Sequence, residues 1–458
     1  MLKHMNKIHF VGIGGAGMSA IAKILVEKGY SVSGSDLHGS ELVEKLKAQG
    51  AKIVQGHNKE NVIGVDAIVV STAIANDNPE VVAARENNIT IFHRSDIVAM
   101  LMNQEKGIAV AGAHGKTTTT SMLGVTLDHA GIQPTIIIGG EVDYLGSNAK
   151  LGNGAYLVAE ADESDGSFLK LLPHIAVVTN IEDDHMDYYG SMENILKTFK
   201  QFICNLSQKD GLAVLCFENE NIRNIAPTLD RHYLSYAIDY KADYQAANIH
   251  IDGAGTSFDV MHNGVNLGRI ALRVPGRHNV LNALAATVVG IQLGLSVEQM
   301  AAGFVHFNGA KRRFQTKGRF DGIWIVDDYA HHPTEIRTTL IAAKQTKPNR
   351  VICAFQPHRY TRTKLLLNDY GSCFKEADIL VLTDIYSAGE APIAGINGET
   401  IKNEVEKQTG KEVIYIPKRR DIAFYLRSIA KSGDLILSMG AGDIYRTGEE
   451  LVDLLNEK

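Results

Sequence analysis

Short apolar runs rich in Val, Ile and Ala recur along this chain, and most are followed by a longer stretch with apolar residues at helical spacing. That alternation predicts an α/β protein built on parallel sheets. The first block reads as a strand at Lys7–Gly12, a helix over Ala16–Lys28, and strands at Ser31–Gly34, Lys52–Val54, Ala67–Val70 and Thr90–Phe92. A second block opens with a strand at Gly107–Ala111 and a helix from Lys116 to about His129, then strands near Tyr156–Ala159, Ile175–Thr179 and Leu212–Cys216. Tyr244–Arg273 alternates with period two around Asn263-Gly264, which predicts an antiparallel excursion with a hairpin turn, and a helix follows over Asn279–Gly290. The third block places strands at Ile323–Val326, Arg350–Phe355, Ile379–Thr383, Glu412–Ile416 and Leu435–Met439, with helices between. Breaks near Gln104–Lys106 and Thr316–Gly318 divide the chain into domains 1–106, 107–316 and 317–458. The polar Gly146–Gly154 segment reads as a mobile loop.

Composition narrows the classes. With 45% apolar residues the 458-residue chain can bury substantial cores, and global disorder is excluded. Lys+Arg number 46 against 52 Asp+Glu, so the net charge of −6 offers no electrostatic footprint for nucleic acid or an anionic membrane. An anionic ligand must therefore be held by local donors. The four cysteines form no C-x-x-C pair, which suggests reduced thiols in a cytoplasmic protein. No apolar run reaches the roughly 18 residues that span a bilayer, so membrane insertion is not expected. A basic start before Ile8–Ala22 imitates a signal peptide, but Gly12, Gly14, Gly15 and Gly17 interrupt it.

Those glycines have a better explanation. Gly12-Ile13-Gly14-Gly15-Ala16-Gly17 stands between a predicted strand and helix, with Asp36 at the end of the next strand. The pattern suits a pyrophosphate at a helix N-terminus with an acid on a ribose hydroxyl. NAD fits the pattern, and so does any nucleoside diphosphate; a glycine turn that merely packs helix on strand is the bland alternative.

A second glycine loop, Gly112-Ala113-His114-Gly115-Lys116-Thr117-Thr118, also joins a strand to a helix. Its backbone can cradle phosphates, Lys116 can reach β/γ oxygens and Thr117 can ligate Mg²⁺. It departs from the full G-x-x-x-x-G-K-[ST] pattern because Val110 holds the first glycine's place. Glu160 and His185 follow the ends of two later strands, where a parallel sheet delivers residues to the phosphate edge, and complete a credible Mg²⁺ shell. Asp183 and Asp184 read better as a solvated acidic loop. Downstream, Asn279 and Asn282 open a helix, Arg313 lies in a basic loop, Asp328 follows a strand, and His358, Arg359 and Arg362 follow another. Such groups at strand C-termini make a polar cleft.

Nine separated segments, in order, carry a resemblance that spans the whole chain: IHFVGIGGAGMSAIA, SGSDL, GAHGKTTTT, EADESDGSFL, NIEDDHMDYY, GRHNVLNALAA, GAKRRF, VDDYAHHPTEI and QPHRYTRT. The sequence resembles the Mur ligases. The resemblance implies an N-terminal Rossmann-like domain for a UDP-sugar, a central P-loop ATPase-like domain with a mixed or parallel sheet, and a C-terminal Rossmann-like domain that closes on the nucleotide. It implies ATP-dependent joining of L-alanine to the carboxylate of UDP-N-acetylmuramate, or, in a related member, joining of a tripeptide to the same sugar nucleotide. A NAD-dependent dehydrogenase is the remote alternative.

Carried over by position, the resemblance gives Gly112–Thr118 with Asn279 and Asn282 to ATP. Thr117, Glu160 and His185 go to Mg²⁺, while Gly12, Gly14, Gly15, Gly17, Asp36 and Ser71 go to the UDP-sugar. Lys116, Glu160, His185, Arg313 and Asp328 become catalytic, and His358, Arg359 and Arg362 serve substrate carboxylates. A monomer or homodimer is expected.

Overall fold

The computed structural model of the protein describes residues 5–253 and 255–457. Three sheets carry it. The first comprises β1 (Lys7–Val11), β2 (Ser31–Asp36), β3 (Lys52–Gln55), β4 (Ala67–Val70) and β5 (Thr90–His93), all parallel, in the order β3-β2-β1-β4-β5. Ile8 to Val11 of β1 are buried on both faces, as expected of a central parallel strand. The order reverses at β1, between β2 and β4, and the C-terminal edge at such a switch point is where open parallel sheets receive ligands.

The second sheet has ten strands: β6 (Lys106–Ala111), β7 (Thr135–Val142), β8 (Ser147–Lys150), β9 (Tyr156–Glu160), β10 (Ile175–Val178), β11 (Leu212–Cys216), β12 (Tyr233–Ala237), β13 (Tyr244–Asp252), β14 (Gly255–His262) and β15 (Val265–Leu272). They lie in the order β15-β14-β13-β12-β11-β10-β6-β9-β7-β8. The β14–β15 turn is the expected hairpin, with Asn263 at φ 48° and Gly264 at φ 82°.

The segment expected to be mobile is corrected. Ser147–Lys150 is β8, paired antiparallel with β7, and Ser147, Asn148 and Ala149 are buried. Polar character misled the reading because a neighbouring helix satisfies it. Asn148 donates to the Ala16 carbonyl at 2.6 Å and to Ser19 Oγ at 2.9 Å, both on the helix Ala16–Glu27.

The third sheet runs β16 (Gln315–Phe320), β17 (Ile323–Asp328), β18 (Arg350–Phe355), β19 (Ile379–Leu382), β20 (Ile414–Tyr415) and β21 (Asp434–Met439), in the order β16-β17-β21-β18-β19-β20. β16 pairs antiparallel with β17 and passes through Thr316–Gly318; the other pairs are parallel. Leu435, Leu437 and Met439 of β21 join Phe355 and Tyr370 on one face, while Ile436 joins Ile325 and Ile352 on the other. Each such side chain contributes roughly 1.5–3 kcal/mol of burial.

The chain forms two compact units. One holds the chain up to Ile249 with Phe258–Ala271 and Val280–Asn308; the other holds His250–Ser257, Leu272–Asn279 and the chain from Gly309 on. Among the described residues no helix is long and apolar enough to cross a membrane.

Candidate active site

In the first unit the Gly12 turn leaves β1 and enters the helix Ala16–Glu27. The Gly12 and Ile13 amides donate to the Ser35 carbonyl at 2.8 and 3.0 Å, and the Gly14 amide donates to Asp36 Oδ2 at 2.8 Å. Asp36 Oδ1 accepts from the His38 amide at 3.1 Å. Gly15 occupies the N-cap and Gly17 the first helical turn, whereas Ser71 directly follows β4, which lies beside β1. A Cβ on Gly14 would stand 2.9 Å from Asp36 Oδ2 and 3.2 Å from Val43 Cγ2. The loop therefore needs glycine there for its own closure. Gly14→Val is expected to push Asp36 aside and raise KM for a UDP-sugar while leaving KM for ATP within about twofold. Equal damage to both constants in a folded variant would contradict that division of labour.

The second loop is fastened more firmly. Gly112 has φ 137°, and a Cβ on it would fall 2.1 Å from Thr179 Oγ1, so the chain tolerates no side chain at this point. The His114 amide donates to Asn180 Oδ1 at 2.8 Å, and the His114 carbonyl accepts from Thr179 Oγ1 at 2.6 Å and Asn180 Nδ2 at 2.9 Å. The helix Lys116–His129 starts at Gly115 and presents its N-terminal dipole there. Asn282, on the helix Arg277–Gln292, sits under this loop and accepts from Thr119 Oγ1 at 3.1 Å.

Lys116 is enclosed by acceptors. Its ammonium donates to the Gly112 carbonyl at 2.5 Å, the Ala113 carbonyl at 3.2 Å and Glu163 Oε1 at 2.8 Å. Burial works against this charge, but Glu163, Asp162 and Glu160 more than offset it and hold the lysine above its ordinary pKa. Thr117 Oγ1 donates to Glu160 Oε2 at 3.1 Å, and Gly139 N donates to Glu160 Oε1 at 2.6 Å. A hydroxyl facing a carboxylate is a pair of hard oxygen donors, which suits Mg²⁺. His185 adopts a left-handed φ of 56° and places Nε2 at 3.8 Å from Glu163 Oε1. Thr118 follows Thr117 in the first helical turn.

Sequence reasoning assigned no role to Glu163, Arg94, Thr179 or Asn180. Glu163 is the counter-ion of Lys116, and Arg94 pairs with Asp162. The quoted EADESDGSFL segment contained the signal for Glu163, but spacing alone does not separate it from Glu160. Arg94 stands some seventy residues upstream, and no local pattern announces its partner.

The second unit gathers the remaining candidates. Asp328 is buried, its Oδ2 accepting from the Phe314 amide at 2.7 Å and its Oδ1 from the Ala330 amide at 2.8 Å. Burial raises its carboxyl to about 6 despite Arg313 and these amides. Arg313 lies 3.8 Å from Glu335 Oε1 and 5.3 Å from the centre of the Tyr329 ring. His358 stacks on Tyr386 and lies 3.2 Å from Arg362 Nη1 through Nδ1. Burial, then His331, Arg362 and Arg359, lower it to about 3, so the imidazole is neutral at physiological pH. Arg359, at φ 69°, begins the helix Tyr360–Leu365 that carries Arg362. Asn279 is buried and donates to the Pro275 carbonyl at 2.7 Å.

Residues 7–106 match the Mur ligase family catalytic domain, 110–290 the Mur ligase middle domain and 312–442 the Mur ligase glutamate ligase domain. The UDP-N-acetylmuramate–L-alanine ligase of Pelotomaculum thermopropionicum is 52% identical over 451 residues, covering 98% of each chain. The crystal structure of UDP-N-acetylmuramate-alanine ligase MurC from Thermotoga maritima superposes with a TM-score of 0.84 at 30% identity, covering 98% of this chain and 99% of that one. A murein peptide ligase from Psychrobacter arcticus gives 0.73 at 25% identity, covering 99% of both. Three matched domains in series, together with a relative similar over nearly all of its length, establish that the chain belongs to the Mur ligase family.

Proposed function

We infer that this protein joins L-alanine to the carboxylate of UDP-N-acetylmuramate with ATP, releasing ADP and phosphate, in the making of peptidoglycan precursors. The observation that carries the reading is the fastened loop with Lys116, Thr117 and Glu160 in mutual reach, within a chain half-identical to relatives bearing that name. Among solved structures the L-alanine ligase superposes better than the murein peptide ligase, with a TM-score of 0.84 against 0.73, which favours L-alanine over a peptide as the amine.

A carboxylate is a poor electrophile until an oxygen is converted to a leaving group. Transfer of the γ-phosphoryl group to the sugar carboxylate gives an acyl phosphate, which the amine attacks to form the amide as phosphate departs. The protein's part is positioning and charge. Lys116 and the amides of the Gly112–Thr118 loop, apart from that of His114, which is given to Asn180, neutralise phosphate oxygens. Thr117, Glu160 and His185 would hold Mg²⁺, which supplies Lewis acidity at those oxygens when bound. The Gly12–Gly17 turn with Asp36 and Ser71 takes the UDP group. Asn279 and Asn282 serve the adenine, Arg313 and Asp328 the nucleotide, and His358, Arg359 and Arg362 the substrate carboxylates. We assign these tasks to domains 1–106, 107–316 and 317–458 of a cytoplasmic monomer or homodimer.

Phosphate release tests the reading. It is expected to require ATP, UDP-N-acetylmuramate and L-alanine together. With L-alanine omitted, borohydride should trap the acyl phosphate as the muramoyl alcohol. Release of AMP and pyrophosphate instead would replace phosphoryl transfer by adenylation.

A further inference from the structure

Behind the Gly12 turn lies a buried polar cluster that the assignments above leave unused. Glu80, on the helix Pro79–Glu86, is fully buried. Its Oε2 accepts from Ser35 Oγ at 2.6 Å and lies 3.2 Å from His57 Nδ1. Its Oε1 accepts from Asn61 Nδ2 at 2.6 Å and from the Asn58 amide at 3.4 Å, and lies 3.5 Å from His9 Nε2. Burial would raise this carboxyl, but His9, Ser35 and Asn61 outweigh it and hold it at about 2. Glu80 is thus an anion under all working conditions. A lone buried anion is costly, and this one is retained with a complete set of partners.

The partners are not scattered. Ser35 is the penultimate residue of β2, His57 and Asn58 follow β3, and Asn61 lies in the short turn Lys59–Val62. Ser35 also offers its carbonyl to Gly12 and Ile13, and its neighbour Asp36 accepts from Gly14 through the side chain and from Gly56 through the carbonyl at 2.7 Å. Hydrogen bonds therefore lead from Glu80 through Ser35 to the amides of the glycine turn, and through Asn58 and Asn61 to the turn after β3.

We propose that Glu80 is a positioning residue for the UDP-sugar site: a buried anion that fixes Ser35, Asp36 and the turn after β3, and through them the Gly12–Gly17 turn. The proposal rests on reading that turn as the UDP-sugar site. Glu80 itself touches no substrate.

The decisive variant is Glu80→Gln, which keeps size and one acceptor but sets an amide against donors already in place. KM for UDP-N-acetylmuramate is expected to rise about tenfold, the scale of a buried polar group left unsatisfied. KM for ATP and kcat at saturation should stay within about twofold. Unchanged constants, or equal losses in the UDP-sugar and ATP constants, would overturn the proposal. Should Glu80→Gln fail to fold, Asn61→Ala removes one donor at a half-buried position. It is expected to move the same constant in the same direction by about threefold; an equal effect on ATP overturns the proposal here too. Gly14→Val separates the two layers of the argument. If it raises KM for the UDP-sugar while Glu80→Gln does not, the role of Glu80 falls and the site stands. If neither raises it, the site reading falls first.

Discussion

Lys116→Ala is expected to lower kcat by on the order of 10²–10³, because the ammonium balances charge that develops on the transferring phosphoryl oxygens. The structure adds a second expectation. In the native protein this ammonium is the cation of a buried pair with Glu163 and also caps the Gly112 and Ala113 carbonyls. Removing one partner of a buried ion pair typically costs about 3–5 kcal/mol, since the remaining charge is left without compensation. The single variant should therefore melt earlier as well as turn over slowly. Adding Glu163→Gln removes the stranded charge, so the double variant should recover most of the lost Tm and none of the lost kcat. Thermal unfolding and saturating-ATP kinetics on the same three proteins decide it. Near-normal turnover in the single variant would remove Lys116 from the reaction, and equal melting of single and double variants would show that Glu163 needs no counter-charge.

The second large effect concerns the metal. Glu160→Gln is expected to move the half-activating Mg²⁺ concentration upward by about tenfold or more, the range seen when a metal site loses a supporting carboxylate. His185→Ala should shift it in the same direction. In this structure Glu160 accepts from Thr117 and from Gly139 N, so glutamine keeps one of these contacts and the loop should hold its shape. A Mg²⁺ titration of phosphate release, repeated with Mn²⁺, checks the effect. An unaltered requirement in both variants would leave Glu160 as a support for the Thr117 hydroxyl alone.

Much of this architecture is written in local patterns. The strands Ala67–Val70 and Leu212–Cys216 are read to the residue, since each is an uninterrupted apolar run, and the helix Lys116–His129 is placed by the glycine loop that opens it. β8 carries no such pattern because Ser147 and Asn148 are polar by composition and buried by circumstance: Asn148 donates to a helix more than a hundred residues earlier in the chain, and Ser147 Oγ donates to Asn148 Oδ1. The chemistry followed the same division. Lys116 and Thr117 are visible in a contiguous motif, and Glu160 at the end of the later apolar run Tyr156–Ala159. The pairing of Lys116 with Glu163, and of Arg94 with Asp162, exists only after the sheets form. Glu80 gives no signal at all in the sequence, since an acid after proline at a helix start reads as ordinary capping.

Thr179 and Asn180 have an effect on the thermodynamics of nucleotide capture. By gripping the backbone of His114 on both its amide and its carbonyl, they hold the loop in one conformation before any ligand arrives. Fixing a backbone residue costs roughly 1–2 kcal/mol in entropy, so a cradle that froze only on contact would forfeit several orders of magnitude in affinity. Here that entropy is lost once, when the chain folds, and not again at each turnover. A rigid ring of amides, however, measures only the shape of a phosphate chain. It meets the triphosphates of adenosine and guanosine alike, and discrimination between bases has to be made elsewhere along the ligand.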